Sequence, residues 1–223
     1  MNQYWEQQLH EIREEVLMMS GLTERNLSMA VRALMERDEK LADTVELEDT
    51  EIDLLEIRVD ELVVKFISTH GTTASDTRLV LTASKIANNL ERIADEATTI
   101  ARRARDLTGE PLLKPLIDIP VMAGTAQEML RDAITAFVEK EVDLAVEIIA
   151  RDRTVDDLYK RLIAELTSDM MADSKAINRA LKLMTIAKAI ERIADHATNI
   201  AEEVFYLYKG RDIRHDLSFK QRA

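Results

Sequence analysis

The chain contains the same unit twice. A thirteen-residue stretch beginning at Glu91, ERIADEATTIARR, aligns with one beginning at Glu191, ERIADHATNIAEE, with nine identical positions and a register difference of one hundred residues. Further upstream the offset is 103, where Ala30, Val31, Ala33, Leu34, Glu36, Leu41 and Ala42 meet Ala133, Ile134, Ala136, Phe137, Glu139, Leu144 and Ala145. A whole supersecondary unit is duplicated, so the fold must be assembled from two like halves.

Those halves are helical. Five glycines and three prolines in 223 residues, with 46% hydrophobic, 32% charged and 4% aromatic positions, suit long helices and not a sheet with many turns. Pro111, Pro115 and Pro120 lie close together beside Gly109 and Gly124. A helix is not expected to run through that cluster, which reads as the linker between the halves. Weaker breaks fall at His70 and Gly71, followed by Thr72, Thr73 and Ser75, and at Ala172 to Ser174. The fold expected is all-α: two tandem three-helix bundles over residues 1–107 and 121–215, joined by a linker at 108–120.

The apolar spacing agrees. Ile52, Leu55, Val59, Leu62 and Phe66 recur at steps of three and four, as do Ile86, Leu90, Ile93, Ala97, Ile100 and Ala104, which is the seam of a helix bundle. Trp5, Leu9, Ile12 and Val16 give the first helix a similar stripe, long enough to suggest a homodimer. Met18, Met19, Met170 and Met171 fit core or subunit contacts. Helices of about thirty residues would be roughly 45 Å long.

Charge and composition exclude several functions. Forty-two acidic against thirty basic residues leave a net charge of −12, a poor basis for binding nucleic acid or an anionic membrane directly. There are no cysteines, so a metal would be held by oxygen or imidazole nitrogen. No basic and apolar leader opens the sequence and no eighteen-residue apolar run occurs, so the expected location is the cytoplasm. A di-metal bundle enzyme would use Glu-x-x-His, but the residues three before His10, His70, His196 and His215 are Gln7, Ile67, Ile193 and Asp212. No GxxxxGK[ST] phosphate loop is present either. The chain is therefore expected not to be an enzyme.

The duplication also filters the acids. Glu91 with Asp95, and Glu191 with Asp195, stand four apart on one helix face. Roughly eight acid pairs at this spacing are expected by chance in so acidic a chain, so one pair alone means little. These recur, however, and the preceding helices carry a second recurring pair, Asp49 with Asp53 and Asp152 with Asp156. Glu56 and Asp60 correspond to Tyr159 and Ile163 and drop out, while Asn88 corresponds to Lys188. Glu91 and Asp95 lie roughly 145° from their helix's apolar direction, outside the core. Two readings follow. The eight carboxylates Glu91, Asp95, Asp49, Asp53, Glu191, Asp195, Asp152 and Asp156 form surface sites for a hard cation, such as iron, manganese, magnesium or calcium, with zinc admissible. Alternatively they are a solvated acidic face, neutralised by Arg92 and Arg192, on an acidic helical scaffold with no functional metal. His196, whose counterpart is Glu96, reads as a hydrogen-bonded structural residue, and Arg102, Arg103 and Arg105 as a cluster suited to a helix C-terminus.

The doubled ERIAD motif resembles that of the PhoU family of phosphate-signalling proteins, as do the stretch from Ala74 to Val80, DHATNIAE at 195–202, and Tyr206, Leu207, Tyr208, Lys209 and Gly210. The resemblance covers essentially the whole chain. The family commonly has glycine where Ala94 and Ala194 stand; both are small, so close helix approach is preserved. What the resemblance implies is a cytoplasmic, non-enzymatic adaptor. It would link the ATPase subunit of the phosphate ABC transporter to a phosphate-sensing histidine kinase, hold the phosphate-starvation response off, and restrain phosphate uptake. It would meet the membrane only through those partners. The resemblance also implies metal, iron or zinc among the ions, at Glu91, Asp95, Glu191 and Asp195.

Overall fold

Residues 3–69 and 73–214 of the computed structural model are described. They form six helices in chain order: α1 (Gln3–Glu36), α2 (Glu39–Thr69), α3 (Ala74–Thr108), α4 (Asp118–Glu139), α5 (Val142–Ala172) and α6 (Ile177–Lys209), with a short 3-10 turn at Ser174–Ala176. No strand occurs among them. Helices α1 to α3 pack on one another, as do α4 to α6, and the two bundles meet along α3 against α6 and α1 against α4.

The local signals explain the boundaries. Thr73 caps α3: its hydroxyl accepts from the Asp76 amide at 3.3 Å while the Asp76 carboxylate accepts from the Thr73 amide at 3.2 Å. The expected break at His70, Gly71 and Thr72 lies outside the described residues. Asp173 closes α5 and opens the 3-10 turn by accepting from the Lys175 amide at 2.9 Å. The α1–α2 and α4–α5 turns each contain one residue in the left-handed region, Arg37 (φ 57°) and Lys140 (φ 63°). These two positions are 103 apart, so the duplication extends to backbone conformation.

Two expectations need adjustment. The helices press further into the linker than the proline cluster suggests, because α4 starts at Asp118 and takes Pro120 into its first turn, where a missing N–H costs nothing. Helix α4 has only 22 residues against 34 in α1, and at the 103-residue offset the non-helical positions around Pro111 and Pro115 match the first turns of α1.

The interior is one connected apolar cluster spanning both bundles, including Ile52, Phe66, Ile86, Leu90, Ile93 and Ile100 from the first and Met129, Leu130, Ile186, Ile190, Ile193 and Ile200 from the second. Ala94 and Ala194 are fully buried within it. The apolar stripe of α1 is used by the chain itself: Ile12 and Val16 are buried, and the Trp5 ring lies 6.2 Å from that of Phe66. The expected basis for a homodimer is therefore covered. Of the methionines named above, Met19 is buried, Met170 is partly buried against the core, and Met18 and Met171 are exposed.

Candidate functional site

The recurring acids of the first repeat meet on the seam between α2 and α3. Glu91 is half-buried and Asp95 exposed on α3, while Asp49 is half-buried and Asp53 exposed on α2. Their mutual influence is visible in protonation. Burial first, then the Asp95 carboxylate, with Glu56 and Asp53 adding, pushes Glu91 up to about 7 against the opposing charge of Arg92. Asp49 is raised by burial and by Asp53 and Asp95, and Asp53 by burial, Asp95 and Glu56. Two oxygens, Asp49 Oδ1 and Glu91 Oε2, are buried and take no hydrogen bond. Arg92 stands at the edge of the patch, its Nε 3.2 Å from Glu91 Oε2 and its Nη1 3.4 Å from Asp95 Oδ2.

Glu56 belongs to this patch although it has no acidic counterpart in the second repeat. Its Oε1 accepts from Asn88 Nδ2 at 2.9 Å, and its charge acts on both Glu91 and Asp53. Its counterpart is Tyr159, so recurrence between the repeats gives no signal for it.

The second repeat surrounds its acids with cations. Lys188 Nζ donates to Glu191 Oε2 and lies 5.5 Å from the centre of the Tyr159 ring. Burial pulls the Lys188 ammonium down, but the Glu191 hydrogen bond and charge, with Tyr159 and Asp195 adding, outweigh it and leave it raised. Lys160 Nζ lies 3.7 Å from Asp156 Oδ2 and 3.6 Å from Asp157 Oδ1. Asp152 is half-buried one turn earlier on α5. Arg192 reaches across to the other bundle, donating to Glu96 Oε1 at 3.0 Å.

His196 also works between the bundles. Its Nδ1 is 3.0 Å from Asn89 Oδ1, and burial, with Arg92 and Arg192 adding, holds its pKa below the usual histidine value. The arginines at the end of α3 do not cap it. Arg102 donates to Glu46 at 3.0 Å, Arg105 to Asp43 at 2.9 Å and Arg103 to Asp106 at 2.8 Å, so the first two tie α3 to α2.

The Asp49 Oδ1 left without a hydrogen bond and the raised carboxyls around it suit an oxygen-liganded cation on the first repeat. Among the described residues, however, no three His, Asp or Glu side chains converge closely enough to hold an ion as they stand. The donor set fits; closure around an ion would require side-chain rotation.

A tandem repeat of one three-helix bundle, with a carboxylate-rich seam between the second and third helices, defines a class of all-helical duplicated proteins. The model of the family described as PhoU domain matches residues 16–104 and 119–204, one match per bundle. The chain belongs to the PhoU family. It is 39% identical over 216 residues to the phosphate-specific transport system accessory protein PhoU homolog of Pseudomonas putida, covering 96% of this chain and 84% of that protein. It is 36% identical to the phosphate-specific transport system accessory protein PhoU of Escherichia coli, covering 93% and 86%. Its fold is similar to the crystal structure of PhoU from Pseudomonas aeruginosa, with a TM-score of 0.90, 38% identity, and coverage of 93% of this chain and 100% of that one. The phosphate transport system regulatory protein PhoU from Streptococcus pneumoniae gives a TM-score of 0.87 at 25% identity, covering 93% and 98%.

Proposed function

We propose that the chain is an accessory regulator of phosphate transport that acts in the cytoplasm without catalysing a reaction. The observation that carries this reading is the family match in both bundles, joined to relatives named as accessory proteins of the phosphate-specific transport system over more than nine tenths of this chain. No helix among the described residues is long and apolar enough to cross a membrane, which agrees with action through membrane-bound partners.

In its finer form, the protein is an adaptor between the ATPase subunit of the phosphate ABC transporter and a phosphate-sensing histidine kinase. It keeps the starvation response silent when phosphate is plentiful. The carboxylates on the bundle seams bind a divalent or trivalent cation, and Asp49 Oδ1, buried without a hydrogen bond, supports that assignment. Such an ion would offset the repulsion among Asp49, Asp53, Glu91 and Asp95 and fix the relative setting of α2 and α3. The reading includes a homodimer, which sedimentation at micromolar concentration tests; a monomer alone would remove it.

A second reading, an acidic interaction scaffold without a functional metal, is favoured by one observation: Arg92 already lies against both Glu91 and Asp95. Gene deletion tests the regulatory role common to both. Phosphate-starvation promoters should become active in phosphate-rich medium, and unchanged repression would overturn the assignment.

A further inference from the structure

We propose that the homodimer forms through the outer face of α2, with the α2 helices of two copies packed antiparallel. The proposal rests on the homodimer reading above and names a surface for it, since the α1 stripe is covered within the chain.

Helix α2 carries two apolar stripes. Ile52, Leu55, Val59 and Val63 are buried in the core. Leu47, Leu54, Ile57 and Val64 lie roughly opposite to them around the helix and are 78%, 62%, 55% and 67% exposed. The second repeat shows that the bundle itself does not need the outer stripe. At the 103-residue offset the buried positions stay apolar, as Val155, Leu158, Leu162 and Leu166, whereas the exposed ones become Ala150, Asp157, Lys160 and Thr167. A helix face that is apolar in one bundle and polar in its copy points to a contact made by the first bundle alone.

The stripe is complementary to itself. Its steps of seven, three and seven residues follow the seam of a two-stranded coiled coil. When two copies cross midway between Leu54 and Ile57, Leu54 meets Ile57 of the second copy and Leu47 meets Val64, each contact occurring twice about the two-fold axis. Thr50 then faces Glu61, a hydroxyl able to donate to a carboxylate, and on the edge toward α1 Glu51 faces Arg58. The Arg58 side chain is 57% exposed and keeps donors beyond the Nη2 that lies 2.8 Å from Glu15 Oε1. A parallel pair would instead stack Glu61 on Glu61. On the other edge Asp53 faces Asp60, and a seam of this length buries on the order of 1,000 Å² across both copies, the low end for a specific interface, so the dimer is a weak one.

The test is sedimentation of the full-length chain at micromolar concentration, with folding checked by circular dichroism. Wild type should be dimeric. Leu54→Lys/Ile57→Lys, at exposed positions, should stay helical and associate at least a hundredfold more weakly, while Leu181→Lys, at an exposed apolar position on α6, should leave the dimer intact. Because the chain has no cysteine, disulfide formation reads the register: Thr50→Cys and Glu61→Cys chains, mixed and oxidised, should link to each other and neither to itself. Should Leu54→Lys/Ile57→Lys misfold, that mixture decides, and no linkage overturns the proposal. A dimer indifferent to Leu54→Lys/Ile57→Lys would overturn the α2 surface while the homodimer reading survives, and self-linked Thr50→Cys would overturn the antiparallel arrangement. Wild type found only as a monomer would overturn the surface and the homodimer together, leaving the outer stripe to a different protein.

Discussion

The Lys188 ammonium lies over the ring of Tyr159, 5.5 Å from its centre, at the pair of positions where the first repeat sets Asn88 against Glu56. Two bundles that share a backbone and most of a motif have thereby acquired seams of different charge. The consequences extend to pH dependence, because carboxylates held among like charges titrate differently from carboxylates held by a cation.

Glu91 should make the metal-free protein less stable as pH rises from about 4.5 to about 7. Its folded-state value is raised to about 7, so in that window the folded chain binds more protons than the unfolded one, and stability falls with rising pH. Glu91→Gln should remove this component and stabilise the protein at pH 8 by on the order of 1 kcal/mol, after discounting for solvent screening. Urea denaturation at pH 5 and pH 8 checks it; an equal effect of the variant at both pH values would contradict it.

His196 should act with the opposite sign. Burial and the two arginines hold its folded-state pKa below the unfolded value of 6.5, so the unfolded chain binds the extra proton and stability is lost as pH falls from that value through the lower folded-state one. The His196 ring resonances should titrate below those of an unstructured histidine, and His196→Gln should flatten the acid limb of the stability curve. A His196 titration at or above the ordinary value would contradict this.

The matched left-handed residues should respond differently to glycine. Lys140 closes α4 at φ 63°, and Lys140→Gly should stabilise the chain by about 0.5–1 kcal/mol by relieving backbone strain. Arg37 has a similar φ of 57°, but its guanidinium donates to the carbonyls of Leu107, Thr108 and Glu110 at the end of α3. Arg37→Gly should be destabilising, because those carbonyls lose their donor. Thermal melts of the two variants should move in opposite directions.

Core and surface positions should separate clearly. Phe66 is fully buried against Trp5, and Phe66→Ala should cost about 3–5 kcal/mol, whereas Met171→Ala, at a position 85% exposed, should stay within about 0.5 kcal/mol. Chemical denaturation of the two variants checks both.

The fold was legible because duplication and apolar spacing act over long stretches. Ile86, Leu90, Ile93 and Ala97 had to face inward wherever their helix packed, and they are buried. The start of α4 was less legible, since Pro120 looks like a breaker in sequence yet is harmless in a first turn. The purpose of the α1 stripe was also hidden: a long apolar face does not reveal whether its partner lies in the same chain. At the candidate site, spacing and recurrence point to acids that converge on one seam in the first repeat. Glu56 is not legible in the sequence, because its position holds Tyr159 in the second repeat and so carries no recurring signal. Arg102 and Arg105 looked like caps, but their partners Glu46 and Asp43 lie on another helix, a relation that spacing along one helix does not encode.

The adaptor role is tested most directly by affinity purification of the tagged full-length chain from cells growing in phosphate-rich medium. The account predicts that the ATPase subunit of the phosphate transporter and the phosphate-sensing histidine kinase are recovered with it. Recovery of neither, from cells that express both, would contradict it.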